Sequence, residues 1–366
     1  VVKVEPKHGD MTRFVGPGHH PNMSAMYLGL NSNKRSIVLD LKNPAGRQAV
    51  LKLAAGADVL LYNIRPLSMA RLGLSYEEVR AASPRIIYCG AYGFGEQGPY
   101  AGKPAYDDLI QGASGVSYLV SRMTGKPGYA VFALADHLAG ICAVHCITAA
   151  LYHRERTGEG QAVEVPMFET MAHAILTHHL YGRIFEPPLG EAGYVRHIAP
   201  NRRPYATKDG YVCAVIISDL QWQRFFDMVG RPELLTDPRF KDLASRSRHT
   251  GELYQVLEEI LATRTLGEWM PLFEQHDIPA MPMHTLDSLL ADPHLNAVGL
   301  FRKVEHPTEG TLITMMVPSR WSASVPDDHR LPAPGLGEHT VAILREAGFA
   351  EAEISALLAE GAAVSG

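Results

Sequence analysis

Cysteine is scarce. Four residues (Cys89, Cys142, Cys146, Cys213) among 366 do not make a disulfide framework, and such usage fits a reducing compartment. Excess positive charge is missing as well: the net charge is −5 and the pI is near 6.4, so the basic footprint of a nucleic-acid or anionic-membrane binder is absent. No uninterrupted apolar run reaches the roughly 20 residues of a membrane span. The opening Val1-Val2-Lys3-Val4-Glu5-Pro6 lacks the charged region, apolar stretch and cleavage site of a signal peptide. Internal repeats and low-complexity tracts are not evident. These absences predict a soluble, cytoplasmic protein with neither nucleic acid nor membrane as a partner. What is present is ordinary globular usage, 46% apolar and 20% charged, in a chain long enough for about two domains.

The first half alternates strand-like and helix-like segments. Ser36–Leu41 is β-branched and aliphatic; Asn43-Pro44 then opens a helical run, Ala45–Ala55, which Gly56 ends. Ala57–Tyr62 and Arg85–Cys89 read as further strands, with helical pieces near Leu67–Leu72 and Tyr76–Ala82 between them. Apolar strands separated by helices indicate a parallel sheet with helices on its faces. His137–Arg156 is apolar on nearly all sides, which marks a buried helix, with Asp136 in the N-cap place and Gly158 as the stop. Gln161–Val165 alternates like a strand. Pro and Gly crowd the chain between Phe185 and Pro204, where a domain crossing is expected. The following block holds strand Tyr211–Ile217 and helices near Leu220–Val229, Gly251–Ala262 and Leu266–His276. Two amphipathic helices, His339–Ala347 and Ala350–Glu360, close the chain. The expectation is an α/β protein: a Rossmann-like large domain over 1–195, a smaller α+β domain over 205–310, and a C-terminal return to the large domain over 315–366.

Several constellations mimic chemistry. Gly93-Phe94-Gly95-Glu96-Gln97-Gly98 fits the dinucleotide fingerprint G-x-G-x-x-G, but Pro99 to Pro104 follow, so no long helix starts where pyrophosphate would sit. A glycine-rich loop is the alternative. The 17 histidines include His19-His20, His173 and His178-His179, yet none falls in a metal-binding frame, and no metal is expected. Cys142 and Cys146 lie four apart in a helical run without a second pair, which favours packed thiols. Gly112-Ala113-Ser114-Gly115-Val116 misses the nucleophile elbow of serine hydrolases. Asp136 stands apart. A carboxylate at the start of a buried helix accepts backbone N–H bonds and feels the positive end of the helix dipole, and both favour its ionised form. It is either a plain cap or a carboxylate nucleophile.

The chain resembles the CaiB/BaiF family, the family III coenzyme A transferases. The matching stretches are KVEPKHGDMTR (3–13), LNSNKRSIVLDLK (30–42), ADVLLYNIRP (57–66), RLGLSYEEVRAASPRIIYCGAYGFGEQGPY (71–100), AYDDLIQGASG (105–115), ALADHLAG (133–140), RTGEGQAVEVPMFE (156–169) and LGEHTVAILREAGF (336–349). They run in family order along nearly the whole chain. The resemblance puts the catalytic aspartate on Asp136 and implies transfer of CoA from an acyl-CoA donor to a carboxylic acid through an aspartyl-CoA thioester. Acyl-CoA is then a substrate, and no tightly bound cofactor is implied. The resemblance also implies an interlocked homodimer.

The coenzyme contacts implied by the resemblance are Arg13 for the CoA phosphates, Leu39 to Lys42 at the adenosine end, Asn63, Ile64 and Arg65 in a turn after a strand, Arg71 as a further cation, and Lys103 to Tyr106 beside the pantetheine arm. The cations among them suit three phosphates through charge-assisted hydrogen bonds. The family opens with a βα unit ahead of the KVEP stretch that includes a coenzyme contact, whereas this sequence starts at Val1. Members acting on formate and oxalate carry a glycine-run loop; this sequence has Arg196-His197 and Asn201-Arg202-Arg203 in the comparable region. One of Arg196, Arg202 and Arg203 is therefore expected to clamp a second carboxylate, implying dicarboxylates of the succinate or mesaconate type, against the alternative of plain linker charge. Two rival readings remain. The α-methylacyl-CoA racemase branch of the superfamily pairs its Asp with a His where Tyr106 stands, and a phenol with a reference pKa near 10 is a poor proton shuttle. The other rival is a CoA-binding protein without turnover.

Overall fold

The aliphatic run near Ser36 becomes a strand because every side chain from Ser36 to Leu39 is buried, with no solvent face left to alternate toward. In the computed structural model, which describes residues 1–324 and 331–366, this strand is β2 (Arg35–Leu39). It pairs in parallel with β1 (Val2–Glu5), Val4 opposite Ile37, and antiparallel with β11 (Ala363–Val364), so the end of the chain closes the sheet. A second sheet orders β3 (Val59–Tyr62), β4 (Ile87–Tyr92) and β5 (Gln161–Pro166), with β3 and β4 parallel. The parallel strands thus lie in two three-stranded sheets, with β1 and β3 as edges that expose Val4 and Leu61.

The helices start and stop as their caps dictate. Asn43 accepts the Ala45 N–H, Pro44 takes the first turn, and Pro44–Ala55 ends at Gly56. Tyr76–Ala82 opens with a reciprocal capping box between Ser75 and Glu78. These helices pack with Thr340–Glu346 and Glu351–Ala359 onto Ile37, Leu39, Ile86 and Tyr88.

Two units divide the chain. The first holds Val1–Tyr92, Ile141–Val165 and Asp287–Gly366, including the hairpin of β9 (Phe301–His306) and β10 (Gly310–Met315). The second holds Gly93–Gly140 and Pro166–Leu286. This differs from the sequence reading, which kept 93–140 and 166–195 with the large domain. Residues 325–330 of the expected C-terminal return lie outside the described residues. Within the second unit an antiparallel sheet, β6 (Tyr205–Ala206), β7 (Tyr211–Ala214) and β8 (Ala280–Pro282), packs with helices Asp219–Met228, Thr250–Leu261 and Leu266–Gln275. Trp222, Phe225, Phe226, Trp269 and Phe273 fill their core. The described residues form a mixed α/β protein of several sheets, two of them with parallel strand pairs.

The expected buried helix is Leu134–Thr157, and its burial is one-sided. Cys142, Ala143, Cys146 and Ile147 pack on Cys89 and Val165, while Ile141, Val144 and Tyr152 are 66%, 65% and 64% exposed. Apolarity all round is met by burial on one face only. Among the described residues it is the one helix long and apolar enough to cross a membrane by length and composition. Its Arg154 is tied to Asp58 at 2.7 Å.

Candidate active site

The loop after β4 carries the glycine pattern, and packing explains it. A Cβ at Gly93 would sit 2.2 Å from the Ala105 Cβ, and the Gly95 N–H donates to Glu169 Oε1 at 3.0 Å. Phe94 is buried against Phe168 and Tyr100. Lys103 Nζ lies 4.2 Å from the centre of the Tyr100 ring. Tyr106 precedes the helix Asp107–Ala113 and is 72% exposed, with no capping bond from its side chain.

Asp136 lies in the first turn of Leu134–Thr157, the third helical residue, so it is not the cap that its spacing suggested. That role belongs to Asp107. Its Oδ1 accepts the N–H groups of Ala135 at 2.7 Å and Asp136 at 3.2 Å. Gln111, fully buried one turn further along the Asp107 helix, donates to Asp107 Oδ2 at 2.5 Å and accepts the Ala130 N–H at 2.8 Å. Among the described residues the Asp136 carboxylate has no hydrogen-bond or ion-pair partner.

The electrostatics therefore run opposite to the sequence expectation. Partial burial of the carboxyl and the neighbouring Asp107 carboxylate push the Asp136 pKa above the ordinary aspartate value, with His137 pulling weakly the other way. A more basic carboxylate is the better nucleophile, provided it is still ionised at working pH. Sequence reasoning missed Asp107 and Gln111. Their i, i+4 spacing within AYDDLIQGASG was the available signal.

The expected coenzyme contacts divide by burial. Arg13 is 1% exposed, its guanidinium consumed by Glu5 at 2.7 and 2.8 Å, Tyr27, and the carbonyls of Asn22 and Pro334. In this arrangement its donors tie the stretch around Glu5, Tyr27 and Pro334 together. Leu39 packs its side chain into a different core, with Ile37, Ile86 and Tyr88. Lys42, Asn63, Ile64, Arg65 and Arg71 are exposed, the middle three directly after β3. Lys42 and Arg71 carry no ion pair among the described residues.

The three arginines of the linker also separate. Arg196 Nε donates to the Tyr254 hydroxyl at 3.1 Å, and Arg203 pairs with Glu258 at 2.7 Å. Arg202 is exposed and its guanidinium has no partner among the described residues. Around them His178, His179, His197 and Tyr194 form a ring cluster, His197 lying 5.5 Å from His178 and 4.5 Å from Tyr194. The described residues contain no group of three or more His, Cys, Asp or Glu able to hold a metal.

The profile of CoA-transferase family III matches residues 1–340. The chain belongs to that family. As a family III CoA-transferase it is an enzyme that moves CoA from an acyl-CoA donor to a carboxylic acid acceptor. Its relatives include the succinate–glutarate CoA-transferase of Agrobacterium fabrum, 33% identical over 356 residues that cover 94% of this chain and 88% of that protein. The formyl-CoA:oxalate CoA-transferase of Escherichia coli is 30% identical over 385 residues, covering 98% and 91%. A CaiB/BaiF family protein from Brucella suis superimposes with a TM-score of 0.76 at 29% identity, covering 94% of this chain and 91% of that one. This CoA-transferase thus shares both fold and chain order with its relatives.

Proposed function

We propose that this enzyme transfers CoA between dicarboxylic acids with Asp136 as the nucleophile. The observation that carries the assignment is the unpartnered Asp136 carboxylate, set in the first turn of the long helix with its pKa raised. A carboxylate oxygen of Asp136 attacks the thioester carbonyl of the donor, and the C–S bond breaks to give a mixed anhydride and a CoA thiolate. The thiolate attacks the aspartyl carbonyl and releases the donor acid, leaving an aspartyl-CoA thioester. The acceptor carboxylate attacks that thioester, and the returning thiolate takes the acceptor acyl group and frees Asp136. No proton moves in any step, so an ionised nucleophile suffices without a general base.

The named relatives act on succinate and glutarate or on formyl-CoA and oxalate, which supports a dicarboxylate acceptor. Arg202 is the arginine whose guanidinium is left to meet the second carboxylate, since Arg196 and Arg203 already have partners. The exposed cations Lys42, Arg65, Arg71 and Lys103 are proposed as phosphate contacts for CoA, each to be tested singly. The uncovered stripe Ile141, Val144 and Tyr152 supports the homodimer implied by the family resemblance, and the four free cysteines support a cytoplasmic location. Incubation with succinyl-CoA and no acceptor, followed by peptide mass spectrometry, tests the core of the proposal. A CoA adduct on Asp136 is expected, and its absence where turnover is intact refutes the nucleophile assignment.

A further inference from the structure

A helix begins with backbone N–H groups that no preceding turn can satisfy. At Leu134–Thr157 the residue in the cap place is Ala133, whose side chain accepts nothing. Asp107 makes up the deficit from another helix. Both of its oxygens are engaged, Oδ1 by the amides of Ala135 and Asp136 and Oδ2 by buried Gln111. The geometry points to Asp107 as a positioning residue that clamps the backbone of Asp136 and keeps a second negative charge beside its carboxylate. This rests on the reading of Asp136 as nucleophile.

Two consequences follow from that placement. The donors that would have stabilised an ionised Asp136 are spent on Asp107, so the nucleophile keeps its basicity. Repulsion between the two carboxylates also disappears whenever Asp136 is acylated, because the anhydride and the thioester are neutral. The clamp therefore favours the covalent states over the resting one. The charged groups acting on Asp136 are Asp107, which works with burial, and His137, which works against it.

Asp107→Asn retains an oxygen to cap the helix and removes the charge, but sets its amide against the Gln111 donor, which shifts the clamp. Its expected kcat is about 10²-fold below the parent, while the KM for succinyl-CoA stays within about twofold. The acid limb of its kcat profile shifts to lower pH, and less aspartyl-CoA adduct accumulates without acceptor. Asp107→Glu keeps the charge but displaces the clamp, so kcat falls while the acid limb stays where the parent has it. Parental kcat in Asp107→Asn, or an unmoved acid limb in it, overturns the inference. If Asp107→Asn does not fold, parental kcat in Asp107→Glu overturns it instead. Asp136→Asn run alongside separates the two readings. Full transfer by Asp136→Asn defeats the nucleophile itself, whereas an inactive Asp136→Asn with a parental Asp107→Asn defeats only the clamp.

Discussion

Replacing Arg13 by Met distinguishes a structural arginine from a coenzyme contact. The Arg13 and Glu5 side chains are 0% and 1% exposed and meet at 2.7 Å. The guanidinium also lies 3.8 Å from the centre of the Tyr27 ring and donates to two backbone carbonyls. Methionine fills similar volume without a donor. Glu5 would then keep only the Ser36 hydroxyl at 2.7 Å and the Asp10 N–H at 3.2 Å. Removing one partner of a buried pair costs about 3–5 kcal/mol, because the other charge is stranded. Urea unfolding near neutral pH is expected to show that loss, with the acyl-CoA KM of the folded variant unchanged. Pairing Glu5→Leu with Arg13→Met removes both charges and should restore part of the stability.

The pH dependence supplies a sign that packing loss alone does not produce. In the parent, burial pushes the Glu5 pKa up, but Arg13 and Ser36 together bring it below 4.5. A lowered carboxylate pKa contributes stability that is present above the unfolded value and lost as pH falls through the folded one. In Arg13→Met burial prevails and the pKa rises. The deficit of the variant should therefore be largest near neutral pH and shrink on acidification, as Glu5 takes up a proton. A variant within about 1 kcal/mol of the parent, with a several-fold higher acyl-CoA KM, would refute the structural reading and return Arg13 to the coenzyme.

Other perturbations follow from the same kind of contact. Asp10 is desolvated, yet hydrogen bonds from Lys3 and Thr12 hold its pKa down at about 2. Its stabilisation should thus be complete near neutral pH and vanish between about pH 4 and pH 2; Lys3→Ala should raise the midpoint of acid unfolding, and an unchanged midpoint would remove Lys3 as the cause. Gly93→Ala should cost about 1–3 kcal/mol in thermal unfolding by overpacking against Ala105, and an unshifted Tm would show that the loop gives way. Arg71→Ala and Lys42→Ala should each raise the acyl-CoA KM by about two- to fivefold with kcat intact, as befits exposed charge contacts. Salt should mimic them. Arg202→Ala should lose activity selectively with dicarboxylate acceptors, whereas Arg203→Ala should cost no more than about 1 kcal/mol of stability through its exposed pair with Glu258. Equal profiles across mono- and dicarboxylates in Arg202→Ala would remove the clamp.

Local signals explain what was legible in the sequence. The helix boundaries at Asn43-Pro44 and Gly56, and at Ser75 with Glu78, were readable because caps are settled by residues within one turn. The position of Asp136 was readable from the stretch ALADHLAG, but its electrostatics were not. Asp107 meets the Asp136 amide across 29 residues, and nothing near Asp136 announces that its donors are already taken. The surroundings of Arg13 were hidden for a related reason. A lone arginine in a loop-like stretch looks solvated until Glu5, Tyr27 and the carbonyl of Pro334, the last 321 residues away, converge on it. The long helix shows the converse limit. Its composition calls for cover on every side, while the packing of Cys142, Ala143 and Cys146 meets that call on one face only. The exposed stripe through Ile141, Val144 and Tyr152 has the apolarity of an interior without an interior around it. A sequence encodes how apolar a face must be; which chain provides the covering surface is a property of the assembly. If a second copy covers the stripe, Val144→Glu should shift the oligomeric state in solution, and a protein that stays at the parental mass in light scattering would show that the stripe is covered otherwise.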